Sequence, residues 1–335
     1  MGGPPRPAVT HPWRRAAAWA AGLLLAGTGT VLACRAADVD GITPIPQLLA
    51  FLPWLLVPAG AALLLGAFAR RPALVGLALV LAAVNGWFLR PYGDQDEPDA
   101  GRGAVVVQLR VLTANVEFGG ATDPLIAAVR REKPDLVYVQ ECNYRCSRAL
   151  ARELPAASYP YRKVVEAGGA EGSAILSTHP LRPAPGIVST LAMPGAVAVV
   201  GGRQVRLQLA HPLPPVPRHV NQWESELEAI RAYVAAGSGP TIVAGDFNAS
   251  QDHAAFRRVL DAGAGLRDGA ALAGASRTPT WPAKTAPPLG AQIDHVLVSE
   301  EFGVRGARFL DFAGTDHRAL LVELELRGGA SLEGR

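Results

Sequence analysis

The residues best suited to chemistry lie in Thr241-Ile-Val-Ala-Gly-Asp246-Phe-Asn248-Ala-Ser250, where a short β-branched apolar run stops at a glycine and delivers two polar side chains. The strand period of two places Asp246 and Asn248 on one face. A carboxylate and a carboxamide held side by side on rigid backbone can aim a water and hold a phosphate oxygen beside a metal ion, which is what metal-assisted phosphoester hydrolysis needs. The same residue types also suit an Asx-type turn, so the segment gains its meaning from others. Asn115 ends Val111-Leu-Thr-Ala-Asn115, Glu141 ends Leu136-Val-Tyr-Val-Gln-Glu141, and His211 ends Val205-Arg-Leu-Gln-Leu-Ala-His211. Asp294 and His295 open an apolar run, and Asp316-His317 immediately precede the last one. Each alone is a common turn former or polar strand edge. Together they offer hard oxygens and imidazoles, and oxygen ligands without a Cys/His cluster favour Mg²⁺ or Mn²⁺ over zinc.

The ordered series Thr113-Ala-Asn115, Gln140-Glu141, Gly172-Ser-Ala-Ile-Leu-Ser177, His211, Gly245-Asp-Phe-Asn248, Thr280-Trp281, Ile293-Asp294 and Thr315-Asp-His317 resembles the endonuclease/exonuclease/phosphatase (DNase-I-like) superfamily over roughly 105–326. The resemblance implies an α/β fold, a four-layer α-β-β-α sandwich of two mixed sheets with the site at one edge. It also implies roles. Glu141 resembles the principal metal ligand, assisted by Asn115 and Asp316. Asp246 resembles the group that orients or deprotonates the attacking water, and Asn248 the holder of a phosphate oxygen. His317, oriented by Asp294, and His211 resemble the imidazole pair that contacts phosphate and handles protons. His211 stands where apurinic-site nucleases carry a tyrosine, and Gln292 where many repair nucleases have an arginine. Trp281 matches an aromatic position near the substrate pocket, a place that a loop Trp capping the core between prolines would fill equally well.

The elements that must position these residues follow from periodicity. Strands are expected at 105–116, 135–141, 173–178, 196–200, 204–211, 240–247, 292–299 and 318–326, with amphipathic helices near 123–133, 147–154, 221–236 and 252–262. The helix at 221–236 is the clearest, since Trp223, Leu227, Ile230 and Val234 fall on one stripe.

The front of the chain is different in kind. With 49% hydrophobic, 6% aromatic and 18% charged residues, the 335-residue chain is too apolar for an ordinary soluble domain. Uncharged apolar runs at 16–34, 48–69 and 73–89 are read as three transmembrane helices. A cleaved signal peptide is the competing reading of the first. The expected organisation is a cytoplasmic tail at 1–15, a membrane region at 16–90, a linker at 91–103, the catalytic domain at 104–327 and a tail at 328–335. Arg6, Arg14 and Arg15 precede the first run, Arg35 alone follows it, and Arg70 and Arg71 separate the second from the third. That bias places the N-terminus inside and everything beyond Arg90 outside. Cys142 and Cys146 are then free to form a disulfide, provided the segment is not regular helix.

Seven of the 32 Lys+Arg and two of the 29 Asp+Glu lie in residues 1–90, leaving 25 bases and 27 acids beyond. No bulk attraction to nucleic acid is indicated. The leading expectation is therefore a membrane-anchored, metal-dependent phosphohydrolase acting on a lipid or lipid-linked phosphate at the bilayer. A surface DNA or RNA nuclease is the second reading, and a non-catalytic sensor of phosphorylated ligands the third. The order of three apolar runs followed by this domain also resembles membrane proteins of high-GC bacteria associated with teicoplanin resistance, which points to a polyprenyl pyrophosphate as substrate.

Overall fold

The computed structural model describes residues 12–93, 103–284 and 289–328. The expected N-terminal tail up to residue 11, the linker at 94–102 and the tail at 329–335 lie outside them. The chain divides into two compact units, one of Met1–Gly41 with Phe51–Arg90 and one of Ile42–Ala50 with Pro91–Arg335.

In the first unit, α1 spans Pro12–Ala36, a 3-10 turn at Leu52–Leu55 leads into α3 at Leu56–Phe68, and α4 spans Pro72–Phe88. Among the described residues, only α1 is long and apolar enough, by length and composition, to cross a membrane; Leu52–Phe68 and Pro72–Phe88 are shorter apolar helices. The expectation of three full-length spans is corrected on this point. Pro53 and Pro58 fall within the run at 48–69, and proline removes a helical N–H and fixes φ. The helices meet through alanines and leucine: Ala21, Leu25, Ala62 and Ala78 are buried together, and Asn85 Nδ2 donates to Leu52 O at 3.2 Å. Large apolar side chains face outward instead, with Trp19 77%, Leu23 71% and Leu64 72% exposed.

The second unit contains α2 (Ile45–Ala50) and two six-stranded sheets. The first sheet has the order β11 (Phe302–Asp311), β12 (Arg318–Arg327), β1 (Val105–Asn115), β2 (Leu136–Gln140), β4 (Ser173–Ser177), β3 (Tyr161–Val165). The second runs β5 (Leu181–Ile187), β6 (Met193–Val200), β7 (Arg203–Ala210), β8 (Thr241–Asp246), β10 (Asp294–Val298), β9 (Arg267–Asp268). Both sheets are mixed, because β1–β2 and β7–β8 are parallel and the other pairs antiparallel.

Alternation along the strands builds four layers. Leu109, Val111, Leu136 and Tyr138 join Leu207, Leu209, Ile242 and Val296 in the core between the sheets. Their neighbours Leu112, Ala114, Val137 and Val139 turn the other way, onto α5 (Thr122–Glu132) and α6 (Tyr144–Glu153). Val243 and Leu297 pack on the far side against α7 (Val220–Ala235) and α8 (Ala254–Leu260), with the stripe Trp223, Leu227, Ile230 and Val234 buried as its period requires. A short α9 (Gly269–Leu272) follows β9.

All eight expected strands and four expected helices are present within a few residues. The strands that periodicity did not reveal, β3, β5, β9 and β11, are the four sheet edges. An edge strand shows part of both faces to solvent, so its apolar alternation is weak; β5 carries Pro183 and Pro185, which an edge tolerates. Helix α6 begins three residues earlier than expected because the Asn143 side chain caps it, accepting from Arg145 N and Cys146 N. Cys142 lies before that cap, outside the helix, and forms a disulfide with Cys146 at a Cα separation of 5.1 Å.

Candidate active site

The two parallel pairs explain why the polar residues meet. Parallel strands end at the same edge, so β1–β2 delivers Asn115 and Glu141 while β7–β8 delivers His211 and Asp246. Antiparallel pairing in register then sets Asp294 opposite Asp246, and β12 begins beside them just after His317. Gly245 makes the passage possible: its φ is +154°, and a Cβ there would meet Ala210 O at 1.9 Å. Glu141 and Asn248 adopt left-handed φ values of 56° and 48°. Asn tolerates that region, whereas for Glu it carries backbone strain of about 1 kcal/mol.

The contacts form a continuous chain. His211 Nε2 lies 3.9 Å from Glu141 Oε1. Asn115 Nδ2 donates to Glu141 Oε1 and to Asp246 Oδ2, both at 3.1 Å. Asp246 Oδ2 is 3.8 Å from His317 Nε2, whose ring turns its Nδ1 to Asp294 Oδ2 at 2.9 Å. His317 Nε2 is also 3.8 Å from Asp316 Oδ1, and Trp281 Nε1 donates to Asp316 Oδ2 at 2.8 Å. Asn248 supports Asp246 through its backbone N–H, at 2.8 Å from Oδ1, and spends one amide N–H on Pro212 O at 3.0 Å. All nine residues singled out in the sequence are thus joined. The three read as metal ligands are less compact than expected, because Asn115 and Glu141 touch while Asp316 connects to them through His317 and Asp246.

Electrostatics separates the two imidazoles. Burial, with repulsion from His317, drives the His211 pKa down to about 3, so its approach to Glu141 is not an ion pair. Burial also opposes charge on His317, but Asp294, Asp246 and Asp316 outweigh it and lift its pKa to about 10. Burial raises Asp246 to about 7, with His317 opposing and Asp294 reinforcing the rise. Asp246, Asp294 and His317 place ligand atoms within 4.8 Å of one another and could by spacing hold a metal ion.

Several contributors have roles that the sequence did not assign. Phe118 N donates to Glu141 Oε2 at 3.0 Å, a backbone contact invisible to side-chain reading. Thr280 Oγ1 accepts from Ile293 N and Asp294 N, and Thr315 Oγ1 donates to Asn115 O while accepting from His317 N. Gln292 and His295 both face Asp268 Oδ2, at 3.2 and 2.7 Å.

Residues 112–317 match the Endonuclease/Exonuclease/phosphatase family, and the chain belongs to that family. Among solved structures it is similar to a humanized D. rerio TDP2, with 15% identity over 65% of this chain and 98% of that one and a TM-score of 0.55. An endonuclease/exonuclease/phosphatase from Beutenbergia cavernae gives 20% identity, coverage of 66% and 72%, and a TM-score of 0.52. An AP endonuclease from Archaeoglobus fulgidus gives 15% identity, coverage of 64% and 98%, and a TM-score of 0.50. At these identities the likeness is one of fold. No curated protein matches the chain.

Proposed function

We propose that the chain is a metal-dependent phosphoester hydrolase held at a membrane, with its active site on the extracytoplasmic side and a lipid or lipid-linked phosphate as substrate. The observation that carries the catalytic reading is the single connected set running from Glu141 through Asn115, Asp246 and His317 to Asp294.

The donor set suits a divalent cation. Among the described residues, Glu141, Asp246, Asp294 and Asp316 have no hydrogen bond or ion pair with Lys or Arg, and buried Asp294 Oδ1 has no hydrogen-bond partner. Four carboxylates facing one imidazolium leave negative charge to be offset. Glu141, the Asn115 oxygen and Asp316 would hold Mg²⁺ or Mn²⁺. The Asp246, Asp294 and His317 group suits the ion less well, because a doubly protonated imidazole has no lone pair to give. When bound, the ion supplies Lewis-acid stabilisation of phosphoryl charge.

The protein's own residues then divide the proton work. Asp246, with a pKa near neutrality, accepts a proton from the attacking water as the water oxygen bonds to phosphorus. The bond from phosphorus to the leaving oxygen breaks, and that oxygen takes the proton from His317 Nε2. Asp294 keeps the ring oriented and charged. The second amide N–H of Asn248 and the neutral ring of His211 face the phosphoryl oxygens.

Membrane attachment is supported by the apolar outer surface of the first unit, where Trp19, Leu23 and Leu64 are exposed around an interior of alanines and leucine, as in helices packed in lipid. Two further helices of 17 residues sit at the short end of the spanning range. The Cys142–Cys146 disulfide fits an oxidising compartment. The balance of 25 bases and 27 acids beyond residue 90 favours a lipid-linked substrate over nucleic acid, as does the architectural resemblance to teicoplanin-resistance proteins.

The test offers purified full-length protein a detergent-solubilised polyprenyl pyrophosphate and, separately, plasmid DNA, both with Mg²⁺. Phosphate release from the lipid is expected. Rapid DNA cleavage without phosphate release would replace the lipid reading with a nuclease.

A further inference from the structure

The segment Ile42–Ala50 lies between two apolar helices in sequence but belongs to the unit that carries the active site. Its seat is built on two active-site loops. His253, fully buried, stands at the centre: Ser250 N donates to its Nδ1 at 2.9 Å, so the ring proton sits on Nε2, which donates to Pro46 O at 2.8 Å. Trp223 holds the imidazole edge-on, with centroids 5.0 Å apart. Ser250 is two residues beyond Asn248 and four beyond Asp246. On the other side of the segment, Gln47 Nε2 donates to Pro215 O. Pro215 lies in the loop after His211, and that loop is tied back to the catalytic one by Asn248 Nδ2 donating to Pro212 O at 3.0 Å.

The point where the chain re-enters the unit after α4 is fastened to the same place. Tyr92 N donates to Gln251 Oε1 at 3.2 Å, and Tyr92 Oη to Asp261 Oδ2 at 2.8 Å. Two separate stretches of the N-terminal third therefore converge on residues 250–261.

We propose that residues 42–50 are a brace of the active site and that His253 is the positioning residue through which their seat fixes the Asp246–Asn248 loop. This rests on the hydrolase reading above. A carbonyl at Pro46 and an N–H at Ser250 are the two ends of one imidazole strut, and the strut holds the loop only when both ends are made. A displacement of about 1 Å at such a loop costs up to about 100-fold in rate without touching the substrate contacts. The fold beyond residue 90 is thus incomplete as a catalyst without the loop that follows α1.

The experiment uses the full chain in detergent with Mg²⁺ and bis(p-nitrophenyl) phosphate. His253→Asn keeps an acceptor for Ser250 N but lets go of Pro46 O, so a purely local role for the ring leaves it silent. The brace predicts a kcat about tenfold lower or worse, with KM within about threefold. The same kcat loss is expected when 44–48 is replaced by five Gly/Ser residues. Wild-type kcat in both variants would overturn the brace. Independently of activity, Gln47→Cys with Pro215→Cys is treated in membranes with a short bismaleimide, and a cross-link between the two peptides is expected. Its absence also overturns the proposal. Failure of the wild type to cleave the ester would instead count against the hydrolase, while the cross-link still reports on the brace.

Discussion

Asp246 and Asp294 are register partners across β8 and β10, so a hydrogen-bonded ladder inside the second sheet sets two buried carboxylates beside each other. His317 joins them, one ring nitrogen 2.9 Å from Asp294 and the other 3.8 Å from Asp246. The sheet thereby maintains a like-charge pair that folding alone would not favour, and the cost is offset by one imidazolium.

Asp294→Asn is expected to separate activity from stability. The amide keeps the shape but withdraws the charge that holds His317 protonated, so kcat should fall by about 10²–10⁴-fold, the scale of a general acid–base contribution. The melting temperature of the chelated protein should change less than kcat does, because the loss of the His317 ion pair and the removal of the repulsion from Asp246 oppose each other. Kinetics and thermal unfolding on one preparation check both; a large drop in melting temperature with unchanged kcat would contradict the assignment.

Chelation is expected to abolish turnover and Mg²⁺ or Mn²⁺ to restore it. Stability should change little: a ligand at ten times its Kd contributes about 1.4 kcal/mol, or roughly 3–6 °C for a domain of this size. Glu141→Gln should move the Mg²⁺ activation curve upward by about tenfold or more. Unfolding on chelation would mark the metal as structural.

Much of this site was legible in the sequence because it consists of polar residues where apolar runs stop. Asn115, Glu141, His211 and Asp246 each end a strand, and parallel pairing gathers strand ends without needing any further signal. Edge strands were not legible, since β3 and β5 are largely solvent-facing and lack a buried alternating face. The brace was not legible for the opposite reason. Leu48, Leu49 and Ala50 read as the start of an apolar run at 48–69, and nothing in composition distinguishes a residue buried on a domain from one buried in lipid. Trp281 is placed by a hydrogen bond to Asp316, which a sequence flanked by prolines does not announce.

The Asp268–His295 pair should give stability a readable pH dependence. Burial opposes charge on His295, but Asp268 outweighs it and raises the pKa above the ordinary 6.5. A raised folded-state pKa contributes stability that is complete below about 6.5 and is lost as pH climbs through the folded value. Denaturant unfolding of the chelated protein from pH 6 upward should therefore show a decline that His295→Gln reduces. Parallel wild-type and variant curves would remove the pair from the account.

Thiol counting tests the bridge. Unfolded without reductant, the protein should expose one reactive thiol, Cys34, and after reduction three, since Cys142 and Cys146 are bonded. Three thiols before reduction of freshly purified, membrane-derived protein would show the pair reduced in its native compartment and weaken the extracytoplasmic reading.

Topology is the prediction on which the lipid substrate depends. Because Ile42–Ala50 folds onto the same unit as Pro91–Arg335, the two stretches must lie on one side of any bilayer. On the proposed membrane reading, the helices between them, Leu52–Phe68 and Pro72–Phe88, leave and return as a hairpin whose turn carries Arg70 and Arg71. Arginines mark the cytoplasmic side, and Arg14 and Arg15 in the first turn of α1 give the same orientation independently. Reporter fusions after Arg71 and at Gly103 should accordingly read cytoplasmic and extracytoplasmic. An impermeant maleimide should label Ile42→Cys in intact cells, a position 81% exposed. A cytoplasmic signal at Gly103 together with protection of Ile42→Cys would invert the protein and remove the outer-leaflet substrate. Opposite signals at the two positions would unseat the brace as well, because no hairpin could then connect them.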